Sequence, residues 1–584
     1  MAGKKRQKRA AKALKQEKVA LPSYRARRWT LLTIMGLASV ALVWRAVDQQ
    51  IFETDFLQTE GERRHLRVVE MSAHRGMIND RHGEPLAIST PVDSIWANPR
   101  VLSPDRRVLA PLAKVLGKGT NELRRLLAQR SNRSFVYLQR RVNPDLAAKV
   151  MALDIDGVEL QREFRRYYPA GEIFSHVVGF TNVDDQGQEG LELAFDQWLQ
   201  GKPGKKRVIR DGRARAVKDV ESIQKPTPGK NLTLSLDRRL QFLAYRELKA
   251  AVKRHKAKSA SAVMLDARTG EVLAMVNQPS YNPNGSKSAR GGRFRNRALT
   301  DVFEPGSTMK PFTVTAALES GRYRPGSAID TTPGFYKVGR HQIKDNRNYG
   351  KIDVETVLRK SSNVGASKIA LDLPREELWN HFFKLGFGDP TNTGFPGEVS
   401  GQLTPHLNWT KIDHATLSFG YGLSVTPLQL ARAYAVLAAD GIRYPVSLLR
   451  LEEKPRGERV LSAGVARDVR RMLKAVVSTE GTAPEAAVAG YQVAGKTGTV
   501  KKITSSGYSE DKYLAVFAGM APVSDPRLVM VVMIDEPRAG EYYGGQVAAP
   551  VFSKVMAGAL RLLNVAPDNL PNSSVRLAGL GGEQ

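Results

Sequence analysis

The chain contains no cysteine, which excludes disulfides and thiol chemistry and is compatible with an exported protein. Histidine is scarce: nine in 584 residues, with no H-E-x-x-H and no close pair at ligand spacing, so no metal site is expected. Acidic residues are outnumbered, 58 Asp and Glu against 89 Lys and Arg, leaving a net charge of +31. Such a balance first suggests nucleic acid. Its distribution argues otherwise, because residues 1–28 hold eleven Lys or Arg against the single acid Glu17. A polybasic stretch next to an apolar segment is attracted to anionic headgroups and retained in the cytoplasm, so a membrane and no nucleic acid is expected. Long hydrophobic runs are also few. Trp29–Trp44, WTLLTIMGLASVALVW, is uncharged over sixteen residues, about 24 Å of helix against a hydrocarbon thickness of ~30 Å. Ala46 and Val47 extend the run past a snorkelling Arg45, and no small-x-small cleavage site follows. An uncleaved anchor over 29–47 is expected, with the bulk of the chain outside the cytoplasm.

What is present is enough ordinary composition to fold: 42% hydrophobic and 25% charged residues exclude wholesale disorder, and the length suggests about three to four domain-sized units. From residue 48 to about 230 the pattern is mixed α and β. RGMINDRHGEPLA (75–87) reads as two strands around a His82-Gly83 turn, and Leu191–Leu199 as one amphipathic helix. KPTPGKN (225–231) punctuates a boundary. Beyond it come a strand and long helix (232–255), a hairpin (261–276), an all-helical middle, two late apolar strands (513–523 and 527–535) and a terminal helix (547–565). This is an α+β order whose first and last parts meet in one antiparallel sheet. A basic Gly-rich loop with Lys287, Arg290, Arg293, Arg295 and Arg297 has two readings, a solvated loop or a holder of an anionic substrate or partner.

The stretch EPGSTMKPF (304–312) places Ser307 three residues before Lys310. Serine favours helix starts, and positions i and i+3 share a helix face. A lysine whose pKa is lowered by burial or a second cation can take the hydroxyl proton. S-x-x-K also occurs at Ser222/Lys225 and Ser509/Lys512, but only the central match stands before an S-x-N, Ser361 to Asn363, and a K-T-G-T, Lys496 to Thr499. Each element is weak alone, whereas the ordered triple is the set of serine β-lactamases and penicillin-binding proteins. Gly490 to Thr497 also fits the P-loop formula, with VVMIDE (531–536) as a mimic of the acidic strand end. A P-loop needs a strand before it and a helix after; here YQVA (491–494) itself reads as a strand and TGTVKKITSS follows.

The order of motifs, with the basic tail, anchor and RGMINDRHGEPLA, resembles the class B penicillin-binding proteins over nearly the whole chain. SSNVGASKIAL and LSFGYGLSVTPLQLARAYA (417–435) resemble the cell-division type more than the elongation type. The resemblance implies a cytoplasmic tail (1–28), anchor (29–47), non-catalytic dimerisation-like pedestal (48–230), transpeptidase domain with a five-stranded antiparallel sheet flanked by helices (231–565) and a tail (566–584). It implies a D,D-transpeptidase without cofactor that acts on peptidoglycan stem peptides ending in D-Ala-D-Ala, is acylated by β-lactam antibiotics, and works with cell-division membrane proteins including a septal glycosyltransferase. By motif, Ser307 is the nucleophile, Lys310 its base, Ser361 a proton relay and Lys496 the second cation. Asn363 holds the donor amide, Thr497 and Thr499, around Gly498, bind the terminal carboxylate, and the backbone N–H groups of Ser307 and Thr499 form the oxyanion hole. Tyr421 has two readings, lining the site or packing. The rivals are an elongation-type transpeptidase, a D,D-carboxypeptidase, a β-lactamase, for which EELWN (376–380) nearly supplies E-x-x-L-N, and a non-catalytic scaffold.

Overall fold

The computed structural model describes residues 25–52, 66–210, 216–285, 292–504 and 507–570. Its first element is helix α1 (Arg25–Val47), none of whose residues is buried. Through Ile51 this helix is long and apolar enough to cross a membrane, with a mean hydropathy of 1.8. The pedestal follows. Its long strand β1 (Pro85–Ala97) pairs antiparallel with β2 (Val136–Val142) on one side and β3 (Val158–Tyr167) on the other. The hairpin read at 75–87 is present, Ile78 opposite Ala87, with Gly83 at φ +87° in its turn. The helix read over 191–199 is instead two short ones, Gly190–Ala194 and Asp196–Leu199. Glu192 explains the break, because it is drawn fully inside: its oxygens accept from Arg75 Nε at 2.8 Å and Arg166 Nε at 2.6 Å. A buried carboxylate is tolerable only when matched in this way.

The boundary at 225–231 is not a loose linker. Gly229 N donates to His74 O at 2.8 Å, and a Cβ on Gly76 would lie 2.0 Å from Lys230 O. Leu232–Thr233 then pairs with Ile78–Asn79, so the chain enters the catalytic unit as part of the pedestal sheet.

The catalytic unit begins with α2 (Arg238–Arg254), followed by β4 (Ser259–Asp266) and β5 (Val272–Gln278). A helical layer intervenes, of which α3 (Lys310–Glu319), α4 (Asn363–Asp372) and α5 (Pro427–Ala438) matter most. The chain returns through β6 (Ala494–Thr504), β7 (Gly507–Ala521) and β8 (Leu528–Asp535) to α6 (Ala549–Leu562). The five strands form one sheet in the order β5-β4-β8-β7-β6, every neighbouring pair antiparallel. Two-residue periodicity assigns its faces. On β8, Leu528, Met530, Val532 and Ile534 pack in the core under α2 and α6, while Val529, Val531 and Met533 pack in the core that holds α3 and α5. The middle is not all helical, since short pairs such as Phe335–Val338 with His341–Lys344 are inserted there.

Candidate active site

Ser307 lies in a single 3-10 turn, Gly306–Met309, that leads into α3. It does not cap the helix, contrary to the helix-start reading; among the described residues its half-buried hydroxyl makes no hydrogen bond. The turn is pinned from both sides. Gly306 adopts φ +56° and donates to Gly420 O at 3.1 Å, while Thr308 O accepts from Tyr434 Oη at 3.0 Å. A Cβ on Gly306 would meet Val500 of β6 at 2.5 Å, so only glycine lets the turn and strand approach this closely.

Helix α3 is buried around its whole circumference from Lys310 to Leu318, which makes it a central helix, and Lys310 at its start is fully buried. Lys310 Nζ donates to Ser361 O at 2.5 Å, Asn363 Oδ1 at 2.7 Å and Ser361 Oγ at 3.1 Å. Its three N–H donors are thus matched on the S-x-N loop, one acceptor for each. Lys496, also fully buried, donates to the same Ser361 hydroxyl at 3.0 Å and to Thr497. Burial and then the charge of Lys496 hold Lys310 well below the usual lysine range, with Asp345 opposing. Burial lowers Lys496 to about 7. Two lysines on one hydroxyl cannot both keep their protons cheaply, so one of them is prepared to accept.

The S-x-N loop is held under strain. Ser361 has φ +59°, unusual for a residue with a side chain. Asp345 supplies the clamp: its carboxylate accepts from Asn363 N at 2.6 Å, Val364 N at 3.0 Å and Ser362 Oγ at 2.5 Å, closing the N-terminus of α4. The sequence reading missed Asp345, and no local pattern marks it, because it caps a helix that starts eighteen residues later.

Strand β6 is the edge of the sheet and carries Lys496, Thr497, Gly498 and Thr499 opposite Ala518, Phe517, Val516 and Ala515. The Thr497 hydroxyl shares a 2.9 Å hydrogen bond with Thr482, and that of Thr499 accepts from Gly544 N at 3.0 Å. Thr482 and Gly544 were also missed, being far along the chain in unremarkable context. Tyr421 packs its ring 5.7 Å from both Phe419 and Tyr508, and the Tyr508 hydroxyl donates to Glu304, whose carboxylate also accepts from Gly422 N. Beyond β6, Tyr513 stacks on Tyr542 at 4.3 Å, and Tyr543 is half exposed.

The decoys fall elsewhere. No helix follows Gly490–Thr497, since β6 itself starts at Ala494, after most of YQVA. Ser222, Lys225 and Lys512 are exposed, and Ser509 lies on β7 with its hydroxyl on Asp511. Glu376 is exposed in the first turn of the helix Arg375–Lys384. In the basic loop Arg295 and Arg297 pair with Asp301, and Lys287 and Arg290 lie outside the described residues.

An antiparallel five-stranded sheet with a serine turn, an S-x-N loop and a K-T-G edge strand converging on two buried lysines defines a class, and the comparisons agree. The chain belongs to the penicillin-binding proteins: residues 260–557 match the penicillin binding protein transpeptidase domain and residues 70–234 the penicillin-binding protein dimerisation domain. More particularly, it is 45% identical to the peptidoglycan D,D-transpeptidase FtsI of Escherichia coli K12, over 93% of each chain. It is 42% identical to the probable peptidoglycan D,D-transpeptidase PbpC of Pseudomonas aeruginosa, over 93% of this chain and 96% of that one. The transpeptidase domain of Burkholderia pseudomallei penicillin-binding protein 3 superimposes with a TM-score of 0.54 at 46% identity, covering 58% of this chain and 98% of its own.

Proposed function

We propose that this protein is a peptidoglycan D,D-transpeptidase of the FtsI type, which cross-links septal wall through an acyl-enzyme on Ser307. The observation that carries the reading is the Ser361 hydroxyl held between Lys310 and Lys496, 3.1 and 3.0 Å away. Neutral Lys310 takes the Ser307 proton as Oγ attacks the carbonyl of the penultimate D-Ala. The C–N bond then breaks, and Ser361 passes its proton to the departing D-Ala amine while Lys310 hands Ser361 the proton taken from Ser307. An acceptor amine next attacks the ester, forms the cross-link and returns the proton to Ser307. The donor peptide lies along the open edge of β6, with the Ser307 and Thr499 N–H groups facing its oxyanion, Thr497 and Thr499 its carboxylate, Asn363 its amide, and Gly498 letting the strand approach the serine turn. β-Lactams acylate Ser307 by the same attack.

The anchor α1 holds the chain in the inner membrane, with the basic tail cytoplasmic and the pedestal and catalytic unit periplasmic. The pedestal, residues 48–230, spaces the catalytic unit (231–565) from the membrane and meets division partners, among them a septal glycosyltransferase. The test uses full-length protein with a D-Ala-D-Ala stem peptide and an amine acceptor. Release of D-Ala matched by cross-linked dimer supports transpeptidation; D-Ala release with hydrolysed monomer alone points to a carboxypeptidase. Depletion in cells is expected to give filaments, and round cells would assign the protein to elongation.

A further inference from the structure

A cavity distinct from the serine site opens at the seam between pedestal and catalytic unit. It encloses about 370 Å³, within the range of small-ligand pockets. The pedestal contributes Arg141, Arg165 and Arg166, the catalytic unit Tyr281, Asn284 and Phe294, and among the described residues no acidic side chain lines the wall. Arg166 is 4% exposed; its Nε is committed to Glu192 and its Nη1 to Ser89, but among the described residues Nη2 has no partner. Arg141 likewise buries an Nε without a partner, at a backbone φ of +55°. Three carboxylates come near from behind, and Glu163 is held by Ser94, Tyr137 and Arg140. Glu192 is saturated by Arg75 and Arg166, and Asp185 is pushed upward by burial, toward its neutral form. Charge-assisted hydrogen bonds from guanidinium groups are the strong ones, and three arginines on one wall offer them to an anion that enters the cavity.

The other walls narrow the ligand. Phe294 meets Tyr281 at 4.8 Å and Phe180 at 5.0 Å, an aromatic cluster beside the guanidinium groups. Aromatic faces with fixed cationic forks suit a carboxylate carried on a sugar or peptide body. We infer that this seam cavity is a binding site for a carboxylate-bearing peptidoglycan fragment, separate from the donor site at Ser307. The ligand class rests on the function proposed above; the cationic cavity does not. A fragment bound here touches both units, on the loop after β5 that leads to the nucleophile turn.

The test is calorimetric titration of full-length protein in detergent, pre-acylated with penicillin so that the donor site is closed, with adduct mass recorded on the same sample. The probe is a disaccharide tripeptide with free carboxylates. Saturable binding is expected, weakened about tenfold or more when the peptide is amidated and in the Arg141→Ala/Arg165→Ala variant, whose acylation stays at the parent level. Absence of saturable binding, or equal binding by the variant, would overturn the site. Inorganic phosphate that binds as tightly as the tripeptide would overturn the fragment assignment in favour of a general anion site. Failure to form the adduct would count against Ser307 chemistry and leave the binding result readable, since the tripeptide lacks D-Ala-D-Ala.

Discussion

Lys310 and Lys496 share one hydroxyl, and their mutual influence sets the pH at which the site works. As the proposed base Lys310 must be neutral, so acylation is expected to rise as pH climbs through its lowered pKa. Lys496 loses its charge near 7, which sets the falling limb. Because the charge of Lys496 depresses Lys310 and Asp345 raises it, two variants move the rising limb in opposite directions. Lys496→Met is expected to shift it to higher pH, with acylation reduced by about 100-fold or more; Asp345→Asn is expected to shift it to lower pH. Penicillin acylation rates measured from pH 5 to 10 check both signs. Ser307, Lys310, Ser361, Asn363 and Lys496 were legible because their chemistry needs fixed residue types at short spacing. Asp345, Thr482 and Glu304 were not, because each acts by a hydrogen bond across a large sequence separation and any acceptor or donor there looks ordinary.

Strand β6 packs closely against the serine turn. A Cβ on Gly498 would lie 3.0 Å from Pro305 O and 3.1 Å from Thr308 Cγ2, so Gly498→Ala presses the strand away from the serine turn. Acylation is expected to fall about 10–100-fold with only a small loss of thermal stability, as stopped-flow acylation and melting of the same preparation would show. An equal loss in both would mean that the strand position is structural rather than catalytic. The apolar strands β4, β5, β7 and β8 were readable from continuous hydrophobic runs between turns, since both faces of this sheet are covered by helices. The extent of β6 was not, because its lysines and threonines carry little apolar signal, and the short middle strands are too brief to show a period. The broken helix at 190–199 illustrates the opposite failure: periodicity predicted one helix, and an ion pair to Glu192 overrode it.

For the whole molecule, the pedestal depends on a buried charge cluster rather than on apolar packing alone. Arg75, Glu192 and Arg166 are nearly inaccessible, and Asp196 completes the set at 2.7 Å from Arg75. Glu192→Gln strands the buried Arg166, leaves Arg75 with Asp196 as its carboxylate partner, and is expected to cost about 3–5 kcal/mol, read as a lower urea midpoint for the pedestal. Penicillin acylation under native conditions should remain. The gross architecture of anchor, pedestal and α+β catalytic unit was visible in the order of elements, but the seam was not. Residues 225–231 read as a boundary because Pro and Gly punctuate them, and in the structure Gly229 serves close backbone packing.

The central claim is that Ser307 is the acylated nucleophile of a peptidoglycan transpeptidase. The most direct test is the intact mass of full-length protein after incubation with a penicillin, for the parent chain and Ser307→Ala. One slowly lost penicilloyl adduct is expected on the parent and none on the variant. An adduct that persists in Ser307→Ala, or is absent from a folded parent chain, would contradict it.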